Sequence, residues 1–315
     1  MSDNKAGVHA RVAVLSGGES AERAVSLRSG AAVAAALVAA GYQAVAIDPA
    51  ETPLAQVDWL DFDAAFIALH GGVGEDGTVQ AELDRLGVTY PGSAPEACRL
   101  AMSKSASKTR FAECHVPTPR WVSFRETDPP AAVRLEVAWL GYPVVVKPDG
   151  EGSSIGVHVV EDARQLHAAI AAAAAYDHLI LAERLVCGRE FTVAIVGRHP
   201  LPMIEITTPG GLFSYEAKYH STETQYRFDF EIPAESHDAL VTSAVSAARA
   251  VGTDGLVRVD LMLDEAGRPW VLEVNTSPGM TPRSLAPMAA ARAGWEMPSL
   301  VDQLIRECLA AECVA

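Results

Sequence analysis

The sequence predicts a parallel α/β domain followed by two α+β units, and three features predict it. Strands and helices alternate through roughly the first hundred residues, the rhythm breaks after Met102, and a β-hairpin stands near the C-terminal end. Alternation implies a parallel sheet, because each crossover helix returns the chain to the end of the sheet where the previous strand began. Domains are expected at residues 1–103, 104–184 and 185–315.

Val12–Leu15 reads as a short buried strand that breaks at Ser16-Gly17-Gly18. Leu27 to Ala40 follows as a helix closed by Gly41, and Ala44–Ile47 is a second strand. Phe66–Leu69 is a third, ending in His70-Gly71-Gly72, and Thr78–Leu86 is a helix stopped by Gly87. Ligands in such sheets sit at the carboxyl ends of strands, where the Ser16–Gly18 and His70–Gly77 loops lie.

Past Met102 the pattern gives a helix from Lys104 to Cys114 and a polar link from Glu126 to Pro130. Strands at Val144–Lys147, Val157–Val160 and Ile180–Glu183 surround a glycine-rich loop, Asp149–Gly156, and an alanine-rich helix from Asp162. The last portion holds strands at Phe191–Val196 and Leu201–Ile206, then a helix from His237 to Val251. Strands Leu256–Leu263 and Trp270–Val274 flank Asp264-Glu265-Ala266-Gly267, a hairpin turn.

Of the 315 residues 49% are hydrophobic and 21% charged, enough apolar material for real cores. The net charge of -15, with no Lys/Arg run, argues against a nucleic-acid partner. Five scattered cysteines without a CxxC pair read as free thiols in a reducing compartment. The N-terminus lacks a signal-peptide core, and the apolar stretch Ala31–Ala40 is too short to span a bilayer. A cytoplasmic protein without a membrane partner is expected.

Chemistry concentrates in a few places. Asp260 precedes Glu273 by thirteen residues, with Asn275 two further on. On a hairpin the two acids lie side by side and Asn275 faces the same way. Clustered carboxylate and amide oxygens suit a hard cation such as magnesium; a solvated hairpin with incidental charges is the alternative. Lys147 ends an apolar strand ahead of Gly150-Glu151-Gly152-Ser153-Ser154-Ile155-Gly156, offering a point charge and backbone N–H groups to a phosphate. An exposed lysine beside a plain turn is the competing reading. Gly72–Gly77 matches GxGxxG, yet it follows a later strand and sets Glu75 and Asp76 where a pyrophosphate would approach. It reads instead as a turn presenting His70 and Glu75. Glu22 follows the first strand, able to hold an amino group or to serve a helix start. Glu183 and Glu190 bracket a strand end, as acceptors for a nucleoside or as surface acids.

Together these segments resemble the D-alanine–D-alanine ligase family over nearly the whole chain. The stretches that carry the resemblance are Gly17–Leu27 (GGESAERAVSL), Ala68–Thr78 (ALHGGVGEDGT), Lys147–Gly156 (KPDGEGSSIG), Glu190–Ile195 (EFTVAI), Tyr215–Tyr226 (YEAKYHSTETQY) and Glu273–Thr281 (EVNTSPGMT). The resemblance implies an ATP-grasp fold with a Rossmann-like N-terminal sheet, and ligation of two D-alanines through an acyl phosphate for peptidoglycan precursor synthesis. It implies that Lys104 and Lys147 meet ATP phosphates, with Lys218 also on the ATP side, and that Glu183, Arg184, Leu185 and Glu190 meet adenosine. Asp260, Glu273 and Asn275 would hold two Mg2+, which Mn2+ can replace. Glu22 would take the first D-alanine's ammonium beside His70, and Lys218 and Ser284 the second's carboxylate. Tyr219, Ser153 and Glu22 would join a mobile 210–226 loop to the substrate, while Arg258 and the Gly279 N–H face the oxyanion. A homodimer is the expected assembly. Ser103 departs from the family's common Asp, and Arg184-Leu185 from its lysine–aromatic pair.

Overall fold

The structure, a computed structural model, describes residues 10–208 and 224–312. Three sheets follow one another along the chain. The first has the parallel order β2-β1-β3, from Arg11–Leu15 (β1), Gln43–Ile47 (β2) and Ala64–Ile67 (β3). Val12, Val14 and their neighbours face one core, while Ala13 and Leu15 face another. A strand buried on both faces is apolar at every position, which is why β1 reads as a run without alternation.

Helix α1 spans Arg23–Ala39, starting earlier than the sequence predicts. The apolar period begins at Leu27, but small polar residues line its buried side. Ser26 Oγ donates to the Ala68 carbonyl at 2.8 Å and accepts from the Gly17 N–H at 2.8 Å. Gly30 lies so close to Ser16 that an added Cβ would come within 2.3 Å of the serine Cβ. Strand β3 ends at Ile67, two residues before the predicted end. Its last ladder bond runs from the Ala68 N–H to the Leu15 carbonyl, freeing His70 for the loop beyond.

Helix α2 (Thr78–Leu86) ends at Gly87 in the left-handed conformation, φ 70°. Helix α3 (Pro95–Met102), unforeseen in the sequence, carries its proline in the first turn, where the missing N–H costs nothing. Helix α4 is Lys104–Glu113.

The second sheet is antiparallel, ordered β4-β7-β5-β6, from Trp121–Arg125 (β4), Val144–Pro148 (β5), His158–Val160 (β6) and Leu179–Arg184 (β7). Strand β4 and helix α5 (Pro130–Leu140) fall around the segment read only as a link, and α6 (Leu166–Ala174) covers the same face.

The third sheet runs β11-β10-β8-β12-β13, with β9 beside β8. Its strands are Gly188–Val196 (β8), His199–Pro200 (β9), Ile204–Thr207 (β10), Gln225–Arg227 (β11), Leu256–Asp264 (β12) and Pro269–Asn275 (β13). The strand expected from Leu201 starts only at Ile204, because Pro202 cannot donate to a ladder. Helix α7 (Ala234–Val251) packs on β12 and β13 through Leu240, Ala244 and Ala247. Two C-terminal helices the sequence reading did not place, α8 (Leu285–Arg292) and α9 (Met297–Glu312), fold back on the first sheet. Leu300 and Ile305 join Val12, Val14 and Leu37 in one core, and Tyr42 Oη donates to Asp302 at 2.8 Å. No helix among the described residues is long and apolar enough to cross a membrane. Among the described residues, Cys98, Cys114, Cys187 and Cys308 are not joined to one another by disulfides.

Candidate active site

Two clefts meet at the β12–β13 hairpin. The first, about 880 Å3, lies between the second and third sheets and is lined by Lys104, Lys147, Glu183, Arg184, Leu185 and Glu190. The second, about 1260 Å3, lies between the third sheet and the loops of the first and is lined by Glu22, His70, Ser153, Arg258, Gly279 and Ser284. Concave clefts with a few convergent polar groups are where small molecules bind. Asp260 lines the first cleft, Asn275 the second and Glu273 both.

The hairpin register explains that junction. Asp260 stands opposite Glu273 and Arg258 opposite Asn275, as the spacing of the acids predicts. Between Asp260 and Leu261 the register slips, leaving Leu272 as an extra residue on β13. The slip turns Leu272 and Glu273 both toward the first cleft, where strict alternation would hide one of them. A period-2 reading misses Leu272; the buried pair Val271 and Val274, three apart instead of two, is its trace.

Arg258 grips Asp260 with two bonds, Nε to Oδ1 at 2.9 Å and Nη2 to Oδ2 at 2.8 Å. Thr192 Oγ1 adds a third donor to Asp260 Oδ1 at 2.6 Å. Bidentate contacts of this kind fix both side chains in orientation. Among the described residues no group of three or more His, Cys, Asp or Glu stands in metal-binding geometry. The candidate ligand set is instead two facing carboxylates plus the Asn275 amide, oxygen donors that fit a hard cation.

Above the first cleft, the glycine-rich loop is fastened to α4. Asp149 accepts from Ser103 Oγ at 2.6 Å and from the Ser105 N–H at 2.7 Å. Ser103 is thus a helix cap that also binds the loop. Lys104 Nζ donates to the Glu151 carbonyl at 2.5 Å and lies 4.0 Å from Glu273 Oε2.

Glu183 is not a surface acid: it is 3% exposed, held between Lys147 Nζ at 2.5 Å and Lys108 Nζ at 2.7 Å. Burial alone would raise its carboxyl, but the two ammonium groups outweigh burial and hold it at about 2. Lys108, fully buried, is pushed down to about 8 chiefly by that burial. In the sequence Lys108 looks like one more helix residue, and its spacing of one turn from Lys104 is the signal that marks it.

The sign of the Glu183 shift predicts an acid limb. The unfolded carboxyl titrates near 4.5 and the folded one near 2, so the unfolded chain binds more protons in between. The resulting stability is present above about pH 4.5 and drains away as pH falls through about 2. Glu183→Gln should flatten the slope of unfolding free energy against pH in this window by close to one proton. An unchanged slope in urea titrations would refute it.

In the second cleft, Ser153 Oγ donates to Glu22 Oε1 at 2.5 Å, with Ser153 and Ser154 held at φ 51° and 57°. Left-handed serines are costly and persist where the surroundings enforce them. A Cβ on Gly71, itself at φ 70°, would sit 2.9 Å from Glu22 Oε2, so glycine makes room for the acid. His70 is buried, with Nε2 2.9 Å from Ser29 Oγ and Nδ1 3.5 Å from Glu75 Oε1, as expected of a turn presenting both residues. Ser284 Oγ pairs with Thr281 Oγ1 at 2.9 Å and crowds Gly279, where an added Cβ would come within 2.8 Å. Tyr226, its hydroxyl pKa raised by burial, also lines this cleft, as does Arg28; neither was singled out in the sequence as a site residue. Lys218 and Tyr219, and most of the 210–226 loop, lie outside the described residues.

Residues 111–306 match the family described as "D-ala D-ala ligase C-terminus". The chain is 49% identical to a D-alanine--D-alanine ligase of Aromatoleum aromaticum, over 94% of this chain and 95% of that protein. It is 46% identical to one from Stutzerimonas stutzeri, over 96% and 95%. Among solved structures it resembles the D-alanine--D-alanine ligase of Bacillus anthracis complexed with ATP, at TM-score 0.81 and 31% identity, covering 96% of this chain and 98% of that one. A D-Ala:D-Ser ligase of Enterococcus faecalis matches at TM-score 0.82 and 27% identity, over 94% and 98%. The fold is therefore ATP-grasp with a parallel N-terminal sheet, and the chain belongs to the D-alanine–D-alanine ligase family.

Proposed function

We propose that the protein is an ATP-dependent ligase that joins two D-alanines into D-alanyl-D-alanine, a peptidoglycan precursor, through an acyl-phosphate intermediate. The observation that carries the reading is the Asp260–Glu273 pair at the junction of two clefts, one suited to a nucleotide and one to small zwitterions. Family membership supports it over nearly the full length.

The first cleft takes ATP, with adenosine against Arg184, Leu185 and Glu190 and within reach of Glu183, and phosphates against Lys104 and Lys147. Asp260, Glu273 and Asn275 would hold Mg2+, which would supply positive charge to offset that of the phosphates. Glu22, fixed by Ser153, binds the ammonium of the first D-alanine, and His70 lies beside it. The first carboxylate attacks the γ-phosphate, the bond to the β-phosphate breaks with departure of ADP, and an acyl phosphate results. Ser284 and Lys218 hold the second D-alanine's carboxylate so that its amine reaches this carbonyl. Arg258 and the Gly279 N–H then receive the developing oxyanion, and phosphate leaves. Tyr219, outside the described residues, would join Glu22 and Ser153 in a hydrogen-bonded set.

Phosphate release from ATP tests the reading. D-alanine should stimulate release strongly and L-alanine should not; EDTA should abolish it and added magnesium restore it. Full activity in chelator would remove the metal assignment, and indifference to D-alanine would remove the substrate. A parallel arm with D-alanine plus D-serine or D-lactate measures tolerance at the second position.

A further inference from the structure

Lys108 lies one helical turn beyond Lys104 on α4 and is completely buried. Its ammonium donates to Thr118 Oγ1 at 2.7 Å, stands 2.7 Å from Glu183 Oε2, and sits 5.9 Å from the centroid of the Trp121 ring. The Thr118 hydroxyl in turn donates to the Val271 carbonyl at 2.8 Å, and the Val271 N–H donates to the Pro117 carbonyl at 2.8 Å. Val271 belongs to β13, two residues before Glu273. On the other side, Glu183 Oε1 meets Lys147 Nζ. Val271, Thr118, Lys108, Glu183 and Lys147 therefore form one continuous chain. It runs from the sheet bearing the acidic pair to the sheet bearing the strand-end lysine.

The charge count of this cluster matters more than its bonds. One lysine would neutralise Glu183; two leave a buried group with a net positive charge. A buried carboxylate deprived of its only counter-ion is very costly, so a single partner would be held in place. Were Lys147 that single partner, turning it toward a phosphate would strand an anion in the interior. With Lys108 fixed by helix packing and Thr118, Glu183 keeps a counter-ion wherever Lys147 points.

We infer that Lys108 is a positioning residue for nucleotide binding: as the permanent counter-ion of Glu183, it frees Lys147 to engage a nucleotide phosphate. The inference rests on the ATP-ligase reading of the first cleft. A purely structural Lys108 would set stability and leave nucleotide affinity of the folded protein alone.

The test is a double-mutant cycle on the full chain with Lys108→Met, Glu183→Gln and both together. ADP affinity is measured by calorimetry, with KM for ATP, kcat at saturating ATP and D-alanine, and melting temperature on the same preparations. With Glu183 present, Lys108→Met should weaken ADP binding and raise KM for ATP by roughly 10- to 100-fold, as a lost charged contact does. Saturated kcat should stay within about threefold. In the Glu183→Gln background, where no buried anion needs a partner, the same substitution should change ADP affinity by less than about threefold. Lys108→Arg, retaining the charge, should stay closer to the unaltered protein than Lys108→Met. If Lys108→Met does not fold, Lys108→Gln keeps a donor without the charge and reads identically. Unchanged nucleotide affinity in the folded single variant, or equal penalties in both backgrounds, would overturn the role. Failure of the unaltered protein to bind ADP would overturn the nucleotide reading itself, and this role with it.

Discussion

Replacing Arg258 by Ala should lower kcat by roughly 10²–10³-fold while leaving ATP affinity close to that of the unaltered protein. The reason is where the guanidinium sits. It lines the second cleft, two residues from Asp260 on the same face of β12, and is oriented by two bonds to that carboxylate. A half-buried cation in an apolar strand gains from such a partner, so the pair forms before any substrate arrives. Charge on the tetrahedral oxygen exists only in the transition state, and a preoriented donor stabilises it without reorganising. The competing view makes the Arg258–Asp260 pair a strand salt bridge and nothing more. It predicts a lower melting temperature with normal turnover in whatever remains folded. Melting temperature and kcat measured on one preparation separate the two, and a destabilised but fully active variant would refute the catalytic role.

Much of this site was legible because its residues interrupt strong patterns. Asp260 and Glu273 break apolar strands on either side of an unmistakable turn, and the observed register pairs them. Lys147 ends a run of valines before a glycine-rich loop, and the structure finds it at the end of a buried strand. What failed to show was inward-facing polarity and irregularity. Helix α1 buries Ser26 and Ser29 through long-range hydrogen bonds, so hydropathy began it late. Leu272 turns into the cleft through a bulge that no period announces. Lys108 looks like any helix lysine until tertiary packing removes it from water and sets Glu183 against it. Helices α8 and α9 owe their place to a core shared with the first sheet, more than two hundred residues earlier in the chain. Local pattern carries no information about such a partner.

Glu273→Gln should cost turnover on a similar scale, roughly 10²–10³-fold at fixed magnesium, because a metal contributes several kcal/mol to a phosphoryl-transfer barrier. Glu273 is the one candidate ligand that lines both clefts, so its charge acts where the phosphate and the first carboxylate meet. The amide matches the carboxylate in shape and removes one negative charge from the ligand set. Lys104 Nζ stands 4.0 Å from Glu273 Oε2, and its main anchor is the Glu151 carbonyl. Local structure should therefore survive the change, and the melting temperature should move little. The signature of a metal role is the form of the loss. Raising magnesium should recover part of the activity of Glu273→Gln, with the half-saturating concentration shifted upward, while the unaltered enzyme is already saturated. A residue serving only to position Lys104 would instead raise KM for ATP without altering the magnesium curve. Magnesium titrations of both proteins at saturating ATP and D-alanine decide between them. Superimposable curves, scaled only in height, would remove Glu273 from the metal site.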